Sequence, residues 1–205
     1  MDISLRFGDN PLELNRKSSV DDFESFCDHP YNKGSKIELI NGRFVLMAGN
    51  MSENHQRIAR RIMAKAENYL EGKPCEVFYD FRLHLYREEF GLCENLYEPD
   101  IMINCDTNRL KKNKIVGVPE FIAEVISKST RDYDYDEKRI NYLKYGVKEL
   151  WLVDLFDNKI TVHANGEISR YTFYDEVHSV VFPDFKIAFR EILNAVDKDE
   201  LKWYV

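Results

Sequence analysis

Apolar residues recur along this chain with two different periods, and the periods mark out its elements. "KIELINGRFVLM" holds two apolar runs joined by Asn41-Gly42, a pair suited to the positive φ angles of a type I′ turn, so a hairpin is expected there. "MSENHQRIARRIMAKAENYLEG" places Ile58, Ile62, Ala66 and Tyr69 at helical spacing, with Ser52 as cap and Gly72 at the end. "EVFYDFRLHLY" alternates Phe81, Leu83 and Leu85 with Arg82 and His84 and reads as one strand. "PDIMINC", "EFIAEVIS" and "ELWLVD" read as strands, and "KITVHA" and the stretch around "RYTFY" as outer strands. Three more helices are expected. Ser18 or Ser19 caps one in "SSVDDFESFC", Gly146 closes one in "RDYDYDEKRINYLKYG", and "FREILNAV" forms the last. This order predicts the α/β class, as an α+β mixed sheet with helices on its faces. A single domain is expected over residues 20–197, after an extended arm at 1–19 and before a tail at 198–205.

Composition narrows the class. With 205 residues, 44% hydrophobic and 13% aromatic, the chain has material for a sizeable core and does not read as disordered. No apolar run approaches the ~18 residues of a membrane span. The stretch "MDISLRFGDNPLEL" lacks the basic and apolar regions of a signal peptide. Cys27, Cys75, Cys93 and Cys105 show no CxxC pairing, which argues against a zinc ribbon and for reduced thiols in a cytoplasmic protein. The net charge of -7 argues against coating nucleic acid by bulk electrostatics, but leaves room for a local basic groove.

The candidate chemistry lies in carboxylates. "YEPDIMINCD" begins a core strand with Glu98 and Asp100 on either side of Pro99, and period two places both on one face. Between Glu120 and Ser127, "EFIAEVIS" is apolar on both faces except for Glu124 at its middle. An ionised Glu in such a strand is costly unless paired or bound to a cation. A buried pair with Arg or Lys is the plain alternative. With Asp100 on a neighbouring strand, two hard oxygen ligands side by side suit Mg2+.

"EPDIMIN", "GVPEFIAEVISKST" and "DYDEKRINYLKYGVKELWLVD" together resemble the PD-(D/E)xK nuclease superfamily and, within it, the Uma-two family of restriction endonucleases. "IELINGRFVLM", "MSENHQRIARRI" and "VVFPDFKIAFREIL" extend the resemblance over roughly residues 20 to 195. It implies a restriction-endonuclease-like core with flanking helices and an N-terminal hairpin. It also implies Asp100 and Glu124 as metal-binding acids, with Glu38 as a third acid and His55 as an accessory residue. The implied reaction is Mg2+- or Mn2+-dependent hydrolysis of DNA phosphodiesters, by a homodimer.

One position departs from the superfamily pattern. Ile126 stands where Glu-x-Lys calls for lysine, on the same face as Glu124, and cannot stabilise an oxyanion. The resemblance assigns Lys138 to that role. Tyr135, Lys138, Tyr142 and Tyr145 form one helical stripe and Ile140, Leu143 and Val147 a second, while Glu137, Asn141 and Lys144 are expected in solvent. The plain alternative is a lysine that snorkels past tyrosines to water. Lys128 is the weaker rival. Ser127, Ser129 and Thr130 are expected to cap the following helix or to contact a phosphate. Lys111, Lys112 and Lys114 are candidate nucleic-acid contacts, against a solvated face. Two other functions stay open: a catalytically inactive member of the fold that binds nucleic acid or protein, and a metal-independent interaction protein.

Overall fold

The computed structural model describes residues 6–7, 10–11, 17–32, 36–47, 52–90, 95–127, 131, 133–194 and 196. Arg6–Phe7 (β1) pairs with Asn10–Pro11 (β2) within the expected arm. Helix α1 (Val20–Asp28), hairpin strands β3 (Ile37–Ile40) and β4 (Arg43–Leu46) and helix α2 (Glu53–Leu70) follow. Next come β5 (Glu76–Tyr79), β6 (Leu83–Leu85), β7 (Leu96–Tyr97), β8 (Ile101–Asn104), β9 (Leu110–Lys111), β10 (Lys114–Gly117) and β11 (Phe121–Ile126). A π-helical turn over Tyr133–Lys138 leads into α3 (Arg139–Tyr145). The chain ends with β12 (Glu149–Asp154), β13 (Lys159–Ala164), β14 (Glu167–Tyr171), β15 (Glu176–His178), β16 (Lys186–Ala188) and α4 (Phe189–Leu193).

Local chemistry explains the ends of these elements. Ser19 forms a capping box with Asp22, and Ser52 accepts the N–H of His55 at the start of α2. Asn41 and Gly42 turn the hairpin with φ of 51° and 77°. Gly146 closes α3 at φ 93°.

Two six-stranded sheets make the body of the fold. The main sheet runs β14-β13-β12-β11-β8-β5, with β11 parallel to β12 and its other pairs antiparallel. The second runs β4-β3-β7-β6-β10-β9. Period two along β11 sorts its side chains. Phe121, Ala123 and Val125 join α2 and α4 in one apolar cluster. Ile122 and Ile126 join Leu83, Tyr97, Tyr142 and Leu152 in the layer between the sheets. In β3, Ile37 and Leu39 pack on α1, while Ile40 faces that inter-sheet layer. The layers are therefore α2 with α4, the main sheet, the second sheet, and α1.

Several expectations are corrected here. "EVFYDFRLHLY" is two strands in different sheets, because Asp80 takes φ 47° and turns the chain from one sheet to the other. Asn141 is buried, donating to the Tyr97 hydroxyl at 2.7 Å, whereas Ile140 is 52% exposed. At about 100° per residue Asn141 falls on the same face as Lys138, Tyr142 and Tyr145 while Ile140 falls opposite them, so burial follows the helix period and not residue polarity. Cys75 and Cys105 form a disulfide instead of two thiols, between positions opposite each other where β5 pairs with β8. Among the described residues no helix is long and apolar enough to cross a membrane.

Candidate active site

The site begins where the main sheet splits. β8 pairs with β11 through Ala123 and Ile101 and then stops. In that register Pro99 is due opposite Val125, and proline has no N–H to give to a ladder. Oδ2 of Asp100 instead accepts the Val125 N–H at 2.8 Å, so a carboxylate continues the edge that the backbone leaves. This explains the proline between two acids. Neither Glu98 nor Asp100 lies within a strand.

Asp100 is reached from both faces of the sheet. From the first turn of α2, Nε2 of His55 lies 3.1 Å from Asp100 Oδ2. From the other face, Oε2 of Glu124 accepts the Asp100 N–H at 3.3 Å. Glu124 points into the inter-sheet layer because it shares parity with Ile122 and Ile126. Glu38 points into it from the facing β3, sharing parity with Ile40, and its Oε1 accepts the Glu98 N–H at 2.9 Å.

Lys138 fills the space between these acids. Its ammonium is 3.1 Å from Glu38 Oε1, 3.5 Å from Glu124 Oε1 and 3.6 Å from Asp134 Oδ1, and its side chain is only 4% exposed. Asp134 stands four residues earlier on the π-helical turn. Tyr142 donates its hydroxyl to Glu124 Oε1 at 2.8 Å. Its ring meets Tyr97 edge to face at 5.0 Å.

Charge is unevenly compensated. Burial pushes the Glu124 carboxyl up to about 8; Lys138 pulls against this, while Asp100, Asp134 and Glu38 add to the rise. Burial also opposes ionisation of Asp100, but the hydrogen bond and charge of His55, the Val125 N–H and Lys138 hold it below the usual carboxylate range. Burial disfavours the Lys138 charge, yet Glu124, Glu38, Asp134 and Asp100 outweigh it and keep the ammonium well above the ordinary lysine range. Burial and the Glu124 charge beside it likewise raise the Tyr142 hydroxyl well above its ordinary range.

Four carboxylates thus face one lysine and one histidine. Oε2 of Glu38 is buried with no hydrogen-bond partner among the described residues. That orphaned oxygen and the elevated Glu124 mark unspent capacity for a cation. No group of three or more His, Cys, Asp or Glu among the described residues is set to hold a metal. Mg2+ requires fewer protein ligands, since it keeps several waters and takes one or two carboxylates. Asp100 and Glu124, with Glu38 beside them, fit that donor set.

The structure thus brings together Glu38, His55, Asp100, Glu124 and Lys138 of the residues singled out in sequence. Ser127 follows β11 directly, and Lys128, Ser129 and Thr130 lie outside the described residues. Lys111, Lys112 and Lys114 lie on or between β9 and β10, at the edge of the second sheet away from β3. Lys114 is ion-paired with Glu24 there. Asp154 orients the turn after β12 by accepting the Phe156 and Asp157 N–H groups. Sequence reasoning missed Asp134, whose signal was its i, i+4 spacing to Lys138. It also missed the hydroxyl of Tyr142, which nothing in the pattern separates from its ring.

The fold is a split mixed sheet with acids gathered around a buried lysine, and comparison with known proteins places the chain. The family model Uma2, described as "Putative restriction endonuclease", matches residues 20–190, and the chain belongs to that family. It is 28% identical over 112 residues to "Uncharacterized protein slr1290" of Synechocystis sp. (strain ATCC 27184 / PCC 6803 / Kazusa), covering 54% of this chain and 56% of that protein. The chain thus spans little more than half of that relative's length. A solved structure described as "a putative nuclease belonging to DUF820" from Anabaena variabilis ATCC 29413 superposes with a TM-score of 0.67. The superposition covers 83% of this chain and 96% of that one at 15% identity, which establishes the shared fold.

Proposed function

We propose that this chain is a divalent-cation-dependent endodeoxyribonuclease that hydrolyses DNA phosphodiesters with Mg2+ or Mn2+ held by Asp100 and Glu124. The observation that carries this reading is the surplus of buried carboxylate around a single lysine at the split of the main sheet. The family description and the shared fold support it. A divalent cation there supplies a Lewis acid for the phosphoryl oxygens and acidifies a water.

The chain's own groups do the rest. His55 and the Val125 N–H fix Asp100 in one orientation. Tyr142 and the Asp100 N–H hold one oxygen each of Glu124. Lys138 takes the place of the lysine that Ile126 lacks. Held in its protonated form, it stabilises negative charge on the transferred phosphoryl group and does not act as a base. Cutting both strands calls for two such sites, so a homodimer belongs to this reading.

Incubation with supercoiled plasmid tests it. Nicking and linearisation are expected in Mg2+ or Mn2+, none in EDTA, and none by Asp100→Asn. Equal cutting by Asp100→Asn, or cutting in EDTA, would contradict the proposal.

A further inference from the structure

Three segments around the acids each contribute two residues at i and i+2: Lys36 and Glu38, Asp80 and Arg82, Glu98 and Asp100. Glu38 and Asp100 are the buried members. The other four are partly exposed and form two ion pairs at the rim. Lys36 Nζ lies 2.7 Å from Asp80 Oδ1, and Arg82 Nη2 lies 3.4 Å from Glu98 Oε1. The Asp80 N–H donates to the Asp100 carbonyl, which ties the rim to the split in the sheet.

A polyanion approaching this site meets a difficulty. The chain is acidic, and Lys138 is itself buried among the carboxylates of Glu38, Glu124 and Asp134. Among the described residues, Lys36, at 26% side-chain exposure, and Arg82, at 23%, are the cations of the two ion pairs beside these acids. Each has a carboxylate partner in a partly buried pair, and the Arg82–Glu98 contact, at 3.4 Å, is at the long end for such a bond. A phosphate that displaces either carboxylate exchanges one charge-assisted contact for another.

We infer that Lys36 and Arg82 form a phosphate-binding subsite for the DNA backbone beside the scissile bond, with Asp80 and Glu98 holding the two cations until substrate arrives. This rests on the nuclease reading above.

Binding of a labelled random-sequence DNA duplex, with Ca2+ in place of Mg2+ and over a range of salt, tests it. Lys36→Ala and Arg82→Gln should each weaken binding severalfold and reduce the salt slope by about 0.9, the share of one phosphate contact. Asp80→Asn, which removes the competing charge, should tighten binding. Lys186→Ala, whose ammonium pairs with Glu176 on the β15–β16 hairpin, is the control. Thermal melts confirm that each variant folds. If Arg82→Gln melts early because its guanidinium packs over Phe23, the Lys36 and Asp80 variants decide the matter. A wild type that binds duplex while Lys36→Ala keeps its affinity and slope overturns the subsite alone. A wild type that neither binds nor cuts DNA overturns the nuclease reading, and the subsite with it.

Discussion

Val125 donates its backbone N–H to Oδ2 of Asp100 at 2.8 Å, across the gap where β8 stops pairing with β11. Asp100 therefore has two jobs, closing an exposed strand edge and presenting negative charge, and substitutions separate them. Asp100→Asn keeps an oxygen for the Val125 N–H and should melt close to wild type. Asp100→Ala orphans that buried N–H and should cost about 1–3 kcal/mol. Both should lose plasmid cleavage. Thermal denaturation alongside the cleavage assay checks the separation, which fails if the two variants melt alike.

Lys138 is structural as well as chemical. Removing its charge leaves Glu38, Glu124 and Asp134 buried without their common partner, at a cost of about 3–5 kcal/mol. Lys138→Ala should therefore melt far below wild type, and millimolar Mg2+ should restore part of the loss by replacing the missing charge. Unchanged melting would show that the carboxylates shed their charge at no cost.

The pH dependence follows from Glu124. Its carboxyl is raised to about 8 in the folded state from an ordinary 4.5. Between those values the folded chain binds more protons than the unfolded one, so stability without metal falls as pH rises through that window. Metal binding requires the ionised form, so apparent Mg2+ affinity should increase from pH 6 to pH 9. Glu124→Gln should flatten the stability slope and weaken metal binding. Calorimetric titration at several pH values reads both, and an affinity that drops with rising pH would contradict the assignment.

Much of this site was legible in the sequence. Glu124 stood out because a carboxylate interrupts an otherwise apolar strand, and Lys138 through the family resemblance, supported by its place in a row of tyrosines. Asn41-Gly42 announced its turn by residue type alone. What escaped had no local signal. The break at Asp80 depends on a positive φ that aspartate tolerates but does not declare. The burial of Asn141 follows from its place on the face of Tyr142 and Tyr145, which its polar side chain conceals. The Cys75–Cys105 bridge joins residues 30 apart that only strand pairing makes neighbours.

That bridge gives a stability prediction independent of the site. Closing a loop of this length contributes about 3–4 kcal/mol by chain entropy. A reductant, or the Cys75→Ser and Cys105→Ser pair, should lower the melting temperature. Mass spectrometry of the alkylated protein verifies the linkage, and full alkylation of Cys75 and Cys105 without reductant would contradict it.

The most direct measurement is anomalous diffraction from crystals soaked in Mn2+. A manganese peak is expected at the split of the main sheet, coordinated by carboxylate oxygens of Asp100 and Glu124, and absent in Asp100→Asn. No peak at these two acids in soaked wild-type crystals, or one that persists unchanged in Asp100→Asn, would contradict it.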